Sequence, residues 1–296
     1  MIAEIILLYA SFAVVDLFDK FLISKRKIRP LQYTFYTVVT GALLLLAWPF
    51  VYQALPAKFI FLDVLSGAYF GLVMYVFYKV LAHGEVSRVV PFVYGLVPVF
   101  DVVISWATRR SALTVTELAA LALLIPGALL IAYRPGKYLH AYLALTVFSA
   151  FLYSSYNFLW QYGAQVGSSL NNLMWNRLGA AAVLAALLII PSYRKAALAV
   201  GHIERKAHTG ALFVFKQALG GLNFVLLSYF LAVGKVPIVD ALSGFRYLFV
   251  FLLALYFGWR HRHILDESAD RHAIRLKLAA IALIFLGTII LFLGNQ

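Results

Sequence analysis

The sequence predicts an all-α, polytopic membrane protein with ten transmembrane helices arranged as two inverted five-helix repeats, and three observations carry that expectation. Of the 296 residues, 64% are hydrophobic and 12% charged, with a mean hydropathy of +0.89, more apolar surface than the core of a soluble chain could hide. Ten apolar runs can be bounded, most of about 20 residues, enough to cross a hydrocarbon layer of about 30 Å at about 1.5 Å per residue. The chain also resembles itself: LAHGEVSRVV at 81–90 and LAVGKVPIVD at 231–240 share Leu, Ala, Gly, Val and Val at the same places, 150 positions apart. Five spans per half is an odd number, so a duplicated second half enters the membrane from the opposite side. The repeats are expected over 1–134 and 139–296. Continuous rather than alternating hydrophobicity excludes a β-barrel.

The first span, 5–23, lacks a basic leader and a small-x-small cleavage site and carries Glu4, so it reads as a mature helix rather than a signal peptide. Asp16, Asp19 and Lys20 share one of its faces at i, i+3 and i+4. The second span covers 31–54. The third, 59–82, carries Gly67 and Gly71, which, like Gly220 and Gly221 of the eighth, read as close-packing sites first and bending points second. The fourth, 86–107, is interrupted by Pro91 and Pro98 and lines up Tyr94, Pro98, Asp101 and Ser105. The fifth, 113–133, contains LLIPGALLI, which matches LIFLGTIIL of the tenth, 274–294, at an offset of 160. The sixth, 138–162, places Ser154, Asn157 and Gln161 where the first span has charges. The seventh, 171–191, holds Arg177, and the eighth, 209–232, holds Lys216, Gly220, Gly221 and Asn223. The ninth, 236–258, carries Pro237, Asp240, Ser243, Gly244, Arg246 and Tyr247.

Charge within a span costs about 2.5–3.5 kcal/mol at mid-helix on insertion scales, so ionisable residues there mark pairing or function. Arg246 and Asp16 lie deepest. Arg177, Lys216, Asp101 and Asp240 lie shallower, while Lys79, Arg88, Asp63 and Lys20 sit near span ends and read as interfacial anchors. A polar, aromatic cavity between the halves would collect Arg246, Lys216, Arg177, Asp240, Tyr247, Tyr94, Asp101 and Asn157 as substrate-binding residues, with Asp16 and Asp19 as ion-coupling residues that exchange a proton. An ion pair inside the bundle is the competing role for Asp16 and Arg246, and interhelical hydrogen bonding for the Ser and Asn stripes.

The ten-span layout resembles the drug/metabolite transporter superfamily, and YKVLAHGEVSRVVPFVYGLVPVF looks like its EamA-type third-to-fourth-span signature, with Pro98 closing the motif. The Gly-Glu pair usual after the fourth span is absent from WATRRSALT, which leaves the subfamily and the substrate open. The ninth span, PIVDALSGFRYLFV, loosely resembles the sugar-phosphate translocators of the same superfamily, where a Lys-Arg pair binds phosphate. Here Arg246 is followed by Tyr247, so the resemblance favours a carboxylate or zwitterion. It implies a secondary transporter in a prokaryotic inner or plasma membrane, moving a small polar metabolite by alternating access. A flippase for a lipid-linked group is the alternative within transport. A membrane-embedded enzyme would need a clustered acid, base or nucleophile that the sequence does not offer.

The formal charge of +13 fits basic helix ends against lipid headgroups rather than nucleic acid. Loops after odd-numbered spans, together with the first few residues of the spans that follow them, hold 16 Lys and Arg against four after even-numbered spans. Positive-inside bias then places both termini outside the cytoplasm, although the resembled superfamily more usually has them inside. No cysteine is present, so neither disulfides nor thiolate metal sites are expected. The last loop groups His261, His263 and His272 with Asp266, Glu267 and Asp270, a mixed charge run that reads as solvated. No metal or cofactor is expected.

Overall fold

The computed structural model describes residues 2–109, 114–132, 139–163, 166–198, 207–233, 242–260 and 271–294. These are helical apart from a few turn and loop residues, with no strand among them. The long helices are α1 (Ile2–Ser24), α2 (Pro30–Val51), α3 (Ala57–His83), α4 (Val86–Arg109), α5 (Val115–Ala132), α6 (Leu139–Gly163) and α7 (Ser169–Ile189). A short α8 (Pro191–Leu198) follows, then α9 (Ala207–Val233), α10 (Gly244–Arg260) and α11 (Arg271–Gly294).

Local chemistry sets these boundaries. Proline stands at the start of α2, where a missing N–H costs nothing, and α2 passes through a 3-10 stretch at Leu43–Ala47. Thr114 and Glu117 form a capping box at α5, with the Glu117 carboxylate accepting from Thr114 N at 2.7 Å and Glu117 N donating to Thr114 Oγ1 at 3.2 Å. Ser168 caps α7 by accepting from Asn171 N. Pro91 and Pro98 lie inside α4, which continues through both. The span expected from 236 begins as a helix at Gly244, and Pro237 and Asp240 lie outside the described residues, as does most of LAVGKVPIVD.

Among the described residues, six helical stretches are long and apolar enough to cross a bilayer: Pro30–Val51, Ala57–His83, Val86–Thr108, Ser169–Ile189, His208–Leu227 and Arg271–Leu291, with Val115–Ile131 apolar but shorter. Large apolar side chains such as Leu46, Phe50, Phe61, Leu72 and Trp259 point outward. That arrangement costs apolar hydration in water and nothing in lipid.

Two helix contacts organise the bundle. Between α3 and α7 the backbones nearly touch: a Cβ on Gly67 would stand 1.7 Å from Asn176 O, and one on Gly179 would stand 2.0 Å from Val64 O. Gly67 is thus a packing residue, as expected. Gly71 and Gly221 meet nothing within 4 Å and Gly220 meets only a Val15 methyl at 3.9 Å, so the close-packing expectation fails for Gly71 and for the pair on α9. Between α5 and α11 the contact is reciprocal. Gly127 faces Ile284 and Gly287 faces Leu124, the same positions shifted by 160, with Leu283 and Ala120 beside them.

The ends of the bundle differ. At the start of α3, Gln53 exchanges hydrogen bonds with Asn171: Gln53 N donates to Oδ1 at 3.1 Å and Nδ2 donates to Gln53 O at 3.1 Å. At the far end of α3 a cavity of about 530 Å³ is lined by Lys20, Ile23, Lys27, Arg29, His83 and Glu85. Beside it lies a charge network that the sequence did not assemble. Lys277 of α11, 1% exposed, binds Glu85 Oε2 at 2.7 Å and Ser87 Oγ at 2.8 Å. Arg88 pairs with Glu85 at 3.0 Å and caps α5 at Ile131 O at 3.0 Å. Burial by itself raises the Glu85 carboxyl, but Lys277 and Arg88 outweigh it and hold the group below its ordinary value.

Candidate functional site

The ionisable face of α1 is buried in the middle of the bundle and meets two cations from the second half of the chain. The Arg246 guanidinium of α10 donates from Nε to Asp16 Oδ2 and from Nη2 to Asp16 Oδ1, both at 2.8 Å. Such a forked pair fixes orientation as well as charge. One helical turn along, Lys216 of α9 binds Asp19 Oδ1 at 2.6 Å, and the Tyr33 hydroxyl donates to the same oxygen. Lys216 also donates to Gln217 Oε1 at 2.8 Å, and Gln217 reaches Thr40 of α2 at 2.6 Å. Two acids from the first half therefore face two bases from the second.

Aromatic rings wall the cluster. Tyr94 of α4 lies under the guanidinium with Arg246 Cζ 4.1 Å from its centroid, and Phe12 lies 5.0 Å away. The Lys216 ammonium stands 5.2 Å from the Tyr33 centroid and 5.7 Å from that of Tyr78. A buried cation gains from such faces because the ring quadrupole replaces part of its lost hydration. Tyr94 OH donates to Tyr153 OH at 3.0 Å, which extends the polar region to α6.

Of the expected substrate residues, Arg246, Lys216 and Tyr94 converge here with Asp16 and Asp19, and Tyr247 is buried on α10 one residue from Arg246. Asp101 accepts from Ser154 Oγ of α6 at 2.5 Å, and Asn157 lies half-buried one turn beyond Ser154. Arg177 is elsewhere: it stacks on Phe70 at 4.6 Å and rests on Gly41 of α2. Asp240 lies outside the described residues, as do His261, His263, Asp266, Glu267 and Asp270. The anchor reading is corrected for three residues. Asp63 is 0% and Lys20 6% exposed, and Arg88 is held by Glu85; each sits near a helix end yet is covered by a neighbouring helix. Lys20 donates to Leu81 O at 2.9 Å, closing the end of α3.

Sequence reasoning missed Tyr33, Tyr78, Tyr153 and Gln217. Tyrosine is too common in this chain for its position alone to signal a site, with 18 present. Gln217 was legible in principle, since a second polar residue beside a deep lysine is expensive in a lipid-facing helix.

Residues 1–133 match the EamA-like transporter family. The match runs through α1 to α5, the helices that carry Asp16, Asp19 and Tyr94. The apolar helices, with the EamA-like match over the first 133 residues, mark an integral, multi-pass membrane protein. A crystal structure of a protein 15% identical to this chain aligns over 99% of each chain with a TM-score of 0.55, a likeness of fold. No curated protein matches the sequence.

Proposed function

We propose that this protein is a secondary transporter of a small polar metabolite, anionic or zwitterionic, working by alternating access between two inverted five-helix repeats. The observation that carries the proposal is the double ion pair, Asp16 with Arg246 and Asp19 with Lys216, spanning the two halves of the chain. Breaking a buried pair without a substitute costs about 3–5 kcal/mol, so the halves resist separation while the pairs have nothing to exchange for. A ligand carboxylate can take the place of an aspartate at Arg246 or Lys216, and a ligand ammonium can take the place of a base at Asp16 or Asp19. Substrate then lowers the barrier to rearrangement, which is what coupling requires.

Support for the repeat comes from the packing. The reciprocity of Gly127 with Ile284 and Gly287 with Leu124 is what a two-fold axis through the α5–α11 contact produces. The inter-half polar bridges are also paired in kind: α1 reaches α10 through Asp16 and Arg246, and α6 reaches α4 through Ser154 and Asp101. The family match ends at residue 133, beside the expected repeat boundary.

The test begins with a thermal-stability screen of the purified protein against amino acids, carboxylates, phosphorylated metabolites, nucleotide sugars and lipid headgroups, since a ligand of the folded state raises Tm. Arg246→Ala in reconstituted vesicles is expected to remain folded and monodisperse while losing the anionic or zwitterionic hit. Normal ligand binding by this variant overturns the anion assignment.

A further inference from the structure

We infer that Asp63 is a proton-binding site, protonated while α3 and α7 are closed against each other and ionised when they part. Asp16 and Asp19 are each matched by a cation, whereas among the described residues Asp63 is matched by none. Its side chain is 0% exposed, and among the described residues neither Oδ1 nor Oδ2 has a hydrogen-bond partner. An ionised carboxylate cannot stay in such a place, because burial strips its hydration and nothing replaces it; the neutral acid can. The site is tightly built. A Cβ on Gly163 of α6 would stand 2.1 Å from Asp63 Oδ1, so α6 approaches only because residue 163 has no side chain.

The groups around it are complementary to a carboxylic acid. Asn176 of α7, also 0% exposed, donates from Nδ2 to Ser66 Oγ at 2.8 Å, and Ser66 in turn donates to the Asp63 carbonyl at 2.8 Å. Asn176 Oδ1 is left without a donor, and the Asn176 amide also lies beside the Tyr156 hydroxyl of α6. Among the described residues no countercharge is at hand. From α6 the titratable neighbour is Tyr156, and from α7 Arg177 stacks on Phe70, two turns along α3. Tyr33 of α2 and the α1 charges Asp16, Asp19 and Lys20 belong to the other end of α3, near Tyr78 and Leu81. Asp101 of α4 is engaged by Ser154. One carboxylate and one free amide oxygen fall short of the oxygens that a hard cation takes, so the ligand is a proton.

The contact that buries Asp63 is the glycine contact of α3 with α7, and the Gln53–Asn171 tether lies at the same end of α3. Parting these helices admits water, and the acid dissociates to a carboxylate with its proton passing to that water. The carboxylate must be reprotonated before the helices close. The coupling of this cycle to a metabolite rests on the transport reading; the proton site itself does not.

The chain has no cysteine, so Leu173→Cys on α7, 2% exposed and three residues before Asn176, reports opening through a membrane-impermeant maleimide. Labelling rates are compared between Asp63 and Asp63→Asn on that background from about pH 5 to 9, the ratio cancelling the thiol's own titration. The ratio is expected to rise about tenfold per pH unit below the midpoint of Asp63. A flat ratio overturns the inference. Infrared spectra of the reconstituted protein at neutral pH should show a protonated carboxyl band that Asp63→Asn lacks, and an unchanged band overturns it equally. Asn is isosteric with the neutral acid, and if that variant does not fold, Asp63→Ser takes its place in both measurements. If both signals appear but no metabolite is transported, the transport reading falls and the proton site stands.

Discussion

Replacing Arg246 by leucine should destabilise the protein more than replacing Arg246 and Asp16 together. The guanidinium makes two hydrogen bonds of 2.8 Å to a carboxylate that is itself 2% exposed, so the single variant leaves Asp16 charged, buried and unmatched. Loss of one partner of a buried pair costs about 3–5 kcal/mol. At about 2 °C per kcal/mol, the figure for larger domains, this lowers Tm by about 6–10 °C. Asp16→Leu with Arg246→Leu removes both charges and their desolvation. What remains lost is the Arg246–Tyr94 contact at 4.1 Å, worth about 1–2 kcal/mol in a desolvated site. The double variant is therefore expected within about 2–4 °C of the parent. Differential scanning fluorimetry of the parent, both single variants and the double gives the coupling energy directly. If the double variant loses the sum of the single losses, the two side chains are not energetically paired, and the argument that substrate must replace their contact fails.

Other outcomes are as specific. Gly67→Ala should lower stability by at least about 1–3 kcal/mol, because the obstacle is Asn176 backbone, whereas Gly71→Ala and Gly221→Ala, with open space around them, should be neutral or raise Tm; melting curves of the three variants decide it. Lys277 and Arg88 hold the Glu85 carboxyl below its ordinary 4.5, so its stabilisation is complete above that value and is lost as pH falls through the lower, folded one. Melts taken from neutral pH into acid should show that loss in the parent and not in Glu85→Gln. The excess of Lys and Arg in the odd loops predicts that a reporter active only in the cytoplasm is silent when fused after Gln296, and activity there would mean the charge bias misled.

The sequence alone determined the membrane environment, the positions of the helices and the identity of the costly residues. Each of these follows from local quantities: apolar length against bilayer thickness, proline and glycine at boundaries, and charge depth along a span. Asp16 and Arg246 were singled out because a charge deep in a helix has to be explained wherever the helix packs. Gly127 and Gly287 were matched by the offset of their surrounding motifs, and their reciprocal contact followed the same offset.

Only the tertiary structure decided which acid met which base, because partners such as Asp16 and Arg246 stand 230 residues apart and periodicity gives the face of one helix but not its neighbour. It separated Arg177 from the central cluster, although its depth in the sequence resembled that of Lys216. It also reversed the reading of Asp63. Six residues into its helix, Asp63 looks interfacial by depth along the chain, yet it is fully buried because two glycine-mediated contacts, at Gly67 and Gly163, draw α7 and α6 over it. Burial depends on what lies beside a residue, and for a carboxylate in a membrane the neighbouring helix, not the distance to the helix end, decides whether it can hold a charge.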